Sequence, residues 1–125
     1  MSVPVELDQL RDEIGRFASV FLLTVTDDAR PHAVSVTTTW DGDRLVLSAG
    51  RSSVANALAR ATVTLLWPAV EAGGFSLIVD AAATDAGPGT IAITPAKAVL
   101  HRSAVAADGS GAVGSECVPV LKTPA

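Results

Sequence analysis

The chain has 125 residues, 49% of them hydrophobic, which is enough for one domain with a core that needs neither disulfides nor a structural metal. Its formal net charge is −4, and the nine Lys and Arg are scattered, so nucleic-acid binding and a basic membrane-surface helix are both excluded. Aromatic residues are few, three Phe and two Trp, so the core must be Val, Leu, Ile and Ala, which suits closely packed strands.

Residues 5–17 read as a helix, entered at Pro4, with Leu7, Leu10, Ile14 and Phe17 on one face and Gly15 near its end. The apolar run 18–25 predicts a strand buried on both faces. Asp27-Asp28-Ala29-Arg30-Pro31 predicts a turn. From His32 to Trp40 the pattern alternates: His32, Val34, Val36, Thr38 and Trp40 share one face, and Ala33, Ser35, Thr37 and Thr39 share the other. Asp41-Gly42 marks a tight hairpin, and residues 44–49 return as its second strand.

Ser52 or Ser53 is positioned to cap a short helix whose apolar face is Val54, Ala55, Leu58 and Ala59. Three more strands follow, at 62–67, 75–83 and 90–102, with Pro95 marking an edge or a bulge in the last. Residues 1–102 thus form one domain. Residues 103–125, rich in small side chains, are either a flexible tail or an arm packed on a partner subunit. The fold class is mainly β: a six-stranded antiparallel barrel with short helices, since closure removes exposed sheet edges.

Little of the sequence carries chemistry. His32 and His101 stand apart from any Cys or carboxylate at ligand spacing, so no metal site is expected. Cys117, the single cysteine, excludes an internal disulfide. No nucleophile elbow, phosphate loop or dinucleotide fingerprint is present, and no side chain stands out as a catalytic acid or base. No stretch approaches the roughly 20 apolar residues of a membrane helix, and no signal peptide is predicted, so a cytoplasmic protein is expected. The exception is Ser48-Ala49-Gly50-Arg51-Ser52-Ser53, which joins a strand to a helix. Helix starts attract phosphate, and Arg51 and the three serines add a fixed charge and hydroxyls. A plain helix cap beside a solvated arginine is the alternative.

Taken together, Arg30-Pro31-His32-Ala33-Val34-Ser35-Val36, Asp41-Gly42, Leu45-Val46-Leu47-Ser48, Ser52-Ser53-Val54-Ala55-Asn56-Ala57-Leu58 and Val63-Thr64-Leu65-Leu66-Trp67-Pro68 resemble the pyridoxamine 5′-phosphate oxidase-like split-barrel family. The resemblance covers residues 5–102. It implies a split barrel, a homodimer, and a cofactor, FMN or alternatively the deazaflavin F420, in a groove between subunits. Thr37, Thr39, Val63 and Leu65 lie on strands expected near the shared surface. The resemblance implies cofactor-binding roles for Ser48, Arg51, Ser52, Ser53 and Thr39. Trp67, before Pro68, is placed either to pack on a ring system or, as is commoner for Trp at a strand end, in the core or an interface. Ser53 and Val54 stand where many FMN-binding members carry an Arg-Lys pair, leaving Arg51 to take over the charge. The implied activity is that of an oxidoreductase of unknown substrate. The alternatives are a non-catalytic cofactor-binding protein and a cofactor-free dimeric barrel with an interaction role.

Overall fold

The structure is a computed structural model that describes residues 2–103; the proposed tail or arm and Cys117 lie outside the described residues. Eight strands run in chain order: β1 (Ser2–Val5), β2 (Val20–Val25), β3 (Pro31–Val36), β4 (Thr38–Asp41), β5 (Arg44–Ser48), β6 (Thr62–Trp67), β7 (Ser76–Asp85) and β8 (Thr90–His101). Two short helices, α1 (Leu10–Ile14) and α2 (Arg51–Ala59), interrupt them, and a 3-10 turn at Leu7–Gln9 leads into α1. All pairings are antiparallel, in the order β3-β2-β6-β7-β8-β5-β4, with β1 added to β8.

The ends of that order, β3 and β4, are separated only by Thr37. They are halves of one bent strand. Its first half pairs with β2 (Val20 opposite Val36) and its second with β5 (Thr38 opposite Leu47). The sheet therefore curls round into a barrel of six strands, as expected. The bend changes the partner without changing the face. Val34, Val36 and Trp40 pack on the core, while Ala33, Ser35, Thr37 and Thr39 are exposed, matching the alternation of the sequence.

The interior is filled by inward residues of every strand: Leu22, Leu45, Leu47, Leu65, Leu77, Val79, Ile91 and Ile93 are buried. Fully burying an aliphatic side chain contributes about 1.5–3 kcal/mol. α2 packs near β2 and β7, where Asn56 Nδ2 donates to the Thr24 hydroxyl at 3.2 Å and the Ala83 N–H donates to the Ala61 carbonyl at 2.7 Å. Leu10, on α1, is buried in the same core.

Several local expectations need correction. The helix expected over 5–17 is only Leu10–Ile14 plus the 3-10 turn, with Leu7 left 47% exposed. Pro4 does not start it; it lies in β1, opposite Val99. β1 exists because β5 leaves one side of β8 after Ile93, and β1 takes up that side from Ala98 to His101. The change of partner coincides with a register shift: Asp80 pairs with Lys97 but Ala81 with Pro95, so Ala96 bulges out. This is the bulge expected at Pro95, which has no N–H to give the ladder. β2 is buried on one face only, because its Phe21 and Leu23 point outward. The hairpin loop is Gly42-Asp43 rather than Asp41-Gly42, since Asp41 pairs with Arg44 and Gly42 alone takes positive φ, +64°. Glycine at the first loop position is the II′ arrangement.

Candidate functional site

Because each half of the bent strand pairs on one side only, each leaves a free edge, and a hollow lies along each. The one beside β3 is lined by Ser35, Val36, Thr37, Thr39, Val46 and Ser48, with a volume of about 530 Å³. Its side chains are hydroxyls and valines. Among the described residues, none that lines it is ionisable. Thr39 is held in place by its register opposite Val46, whose carbonyl accepts the Thr39 hydroxyl at 3.5 Å.

A second hollow, about 410 Å³, begins at the next residue along the chain and is lined by Ala49, Arg51, Val54, Ala55 and Gly89. The Ala49 N–H donates to the Gly89 carbonyl at 3.0 Å, tying the end of β5 to the β7–β8 turn. Gly89 makes that turn with φ of +67°, a conformation that few other residues adopt without strain. α2 starts here. Its N-cap is Gly50, in extended conformation, so no side chain caps the helix. Val54 N–H is the first to bond back, to the Gly50 carbonyl at 3.0 Å. The amides of Arg51, Ser52 and Ser53 precede it and have no acceptor within the helix.

The structure thus brings five of the six expected residues to one region and separates the sixth. Ser48 and Thr39 share the hydroxyl-lined groove. Arg51 opens α2 and is exposed; among the described residues its side chain has no hydrogen-bond or ion-pair partner. Ser52 is exposed on the first turn, and Ser53 is buried against the barrel. Neither serine is the cap, because Gly50 takes that position. The buried face of α2 is Ser53 and Ala57, not Ala55, Leu58 and Ala59, which are exposed. Val54, half-buried, lines the same hollow as Arg51.

Trp67 lies elsewhere. It is 3% exposed and packs in the core. It borders the hollow along the free edge of β4, about 200 Å³, with Ile14, Phe17, Val20, Val36 and Thr38 among its neighbours. Sequence reasoning passed over Ser35 and Val46. Their signal was present in the alternation, which puts Ser35 on the face of Thr37 and Thr39. That they line one hollow came only with the bend.

No family model matches the chain. Uncharacterized proteins of Mycobacterium bovis and Mycobacterium tuberculosis are each 35% identical over 135 aligned residues, spanning 91% of this chain and 93% of theirs. The chain belongs to their family. Among solved structures, a Listeria innocua protein described as a candidate pyridoxamine 5′-phosphate oxidase superposes with a TM-score of 0.62 at 18% identity, covering 78% of this chain and 98% of that one. The FAD binding protein of Mycobacterium smegmatis follows with a TM-score of 0.59 at 14% identity, covering 82% and 100%. The fold is the pyridoxamine 5′-phosphate oxidase-like split barrel. In split-barrel terms, the two hollows beside β3 and β4 are the two sides of the split. Among the described residues, no helix is long and apolar enough to cross a membrane, and no cluster of His, Cys, Asp and Glu is arranged to hold a metal.

Proposed function

We propose that this split barrel binds a flavin-type cofactor, FMN or the deazaflavin F420, in the groove beside β3, and acts as a homodimeric oxidoreductase. One observation carries the reading: Ser48, in the hydroxyl-lined groove, is followed within three residues by the uncapped start of α2 and by Arg51, whose side chain has no partner among the described residues. Hydroxyls and free amides suit phosphate oxygens, and Arg51 suits their charge. The two hollows fall within the size range of small-molecule sites. A related fold that binds FAD supports the same class of ligand.

Ser48, Arg51 and Ser52 would hold the anionic end of the cofactor, and Thr39 would face its polar edge. Ser53 would contribute its backbone amide, since its side chain is buried. Trp67 takes no part, being in the core. When bound, the cofactor supplies the electron or hydride transfer, and the protein supplies position and electrostatics. Among the described residues no acid or base lines the groove beside β3, which favours a second reading in which the cofactor is held without turnover.

The dimer has support on the outer face of the sheet. Phe21, Leu66, Ile78 and Val99 stand opposite one another across four strands in one apolar row, and Ser35 of the groove continues it. β6, the strand of Val63 and Leu65, contributes Leu66 to this row; Val63 and Leu65 themselves face the core, and Leu66 and Thr64 are the outward residues. Sedimentation at micromolar concentration is expected to give a dimer, and a monomer removes the shared groove.

The cofactor is tested by a thermal-shift panel of FMN, FAD, F420, pyridoxal phosphate and haem, since a ligand that binds only the folded state raises apparent stability. A shift with a flavin or with F420 is expected. No shift with any member promotes the cofactor-free barrel. A shift without consumption of reduced nicotinamide or reduced F420 promotes the binding protein.

A further inference from the structure

The hairpin of β4 and β5 carries three of the six residues that line the hydroxyl-lined groove: Thr39, Val46 and Ser48. We propose that Arg11, on α1, is a positioning residue for that groove: it holds the hairpin against the helix and thereby sets the direction of the Thr39 hydroxyl. The role rests on the flavin-type reading above for its ligand, and on the contacts of Arg11 for its geometry.

Arg11 follows Leu10, which is buried and anchors α1 in the core. From that fixed point its side chain reaches the hairpin by two contacts. Its Nη2 donates to the Gly42 carbonyl at 2.7 Å. Its guanidinium carbon lies 4.7 Å from the centre of the Trp40 ring. A planar guanidinium stacks on an indole with its face while donating in its own plane, which a compact ammonium cannot match. Both contacts fall close to Thr39: Trp40 is the next residue, and Gly42 opens the loop. Successive strand residues point to opposite faces, so the indole that packs on the core and the hydroxyl that lines the groove turn together. Leu45, opposite Trp40, is fully buried and seats the same end of the hairpin. Thr39 depends on this seating. Its hydroxyl reaches the Val46 carbonyl at 3.5 Å, the outer limit of a hydrogen bond, so that bond directs it weakly and the backbone must do the rest.

The test compares Arg11→Met and Arg11→Lys with the wild type in the full chain, each alone and combined with Thr39→Val. Arg11 is exposed, so both single variants should fold, with an unfolding midpoint close to that of the wild type. Hydrogen exchange without ligand should be faster in both over residues 39–48 and unchanged over residues 62–85. FMN, or F420 where FMN does not bind, is then titrated calorimetrically. Arg11→Met should weaken binding by about two- to fivefold, the size of one exposed cation–aromatic stack. Arg11→Lys keeps the charge and loses the fork, and should weaken it too. In the Thr39→Val background the further loss should vanish, because the two residues act as one unit. Unchanged exchange over residues 39–48 overturns the hold on the hairpin. Wild-type affinity in Arg11→Lys would mark a charge acting from a distance, and overturns the positioning role. So does a loss in Arg11→Met that is as large with Thr39→Val as without it, or no loss at all; each of these leaves the flavin reading intact. No binding of either cofactor by the wild type overturns both.

Discussion

The two sides of the split differ although one bent strand makes both. Val36 and Thr37 border each hollow. Along β4 the gap is filled by Ile14, Phe17 and Trp67, and about 200 Å³ remains. Along β3 the gap is left open and lined by hydroxyls, at about 530 Å³. A free strand edge is a row of unpaired backbone groups, and a protein must cover it or use it. Here the first edge is covered by apolar side chains from α1 and the segment after it. The second is left polar; the segment that follows Ser48 opens an uncapped helix with Arg51, whose side chain has no partner among the described residues. One side is closed by core side chains, and the other is the one proposed above to hold a ligand.

The largest expected effect tests the filled side. Trp67→Ala removes a buried indole from the core, and should cost about 3–5 kcal/mol, seen as a lower midpoint in denaturant. Cofactor affinity of the molecules that remain folded should be unchanged. A loss of affinity in that population would join the two sides into one site.

Next comes the open side. Arg51→Ala should weaken FMN or F420 by about 10- to 100-fold, because deleting a charge-assisted hydrogen bond costs about 1.5–3 kcal/mol. Riboflavin, which lacks the phosphate, should bind both proteins alike. Thermal stability should be untouched, since among the described residues the Arg51 side chain has no partner. Equal FMN affinities in wild type and mutant would return residues 48–53 to a plain helix start.

The bend itself is held at both ends by turns with positive φ, and these give smaller, opposite effects. Gly42→Val places a β-branched residue at φ of +64° and should destabilise by about 1 kcal/mol or more. At the other end Ala29 sits at φ of +66°, the one non-glycine with positive φ among the described residues. Its turn is closed by the Thr26 N–H to Arg30 carbonyl bond at 2.9 Å. The Thr26 hydroxyl donates to Asp28 and holds that carboxyl below its ordinary range, with backbone and Arg30 contacts adding to it. Ala29→Gly should relieve the strain and stabilise by about 0.5–1 kcal/mol, offset in part by the freer unfolded chain. Melting curves of the two variants should therefore move in opposite directions; a shared direction would mean that one turn differs from the geometry described.

Much of this molecule was legible in the order of its residues. The strict alternation from His32 to Trp40 has a period of two, and that period assigned every side chain of the bent strand to its face. Pro95 announced the bulge, and Thr62 to Trp67 was bounded as a strand by Pro68. Ser48 through Ser53 stood out because hydroxyls and a cation gathered where a strand gave way to a helix. Tertiary structure decided what local pattern does not encode. β1 is a strand because β8 had an unpaired side to offer, and a four-residue segment containing proline has little strand preference of its own. α2 turns Ser53 and Ala57 inward because the barrel end admits small side chains there, overriding the apolar positions that its sequence presents. Trp67 went to the core for a related reason. Strand pairing, opposite Leu77, fixes which way it faces, and pairing is a contact between residues far apart in the chain. A bend at Thr37 that hands one strand from β2 to β5 leaves no mark on the alternation, because the face is kept while the partner changes.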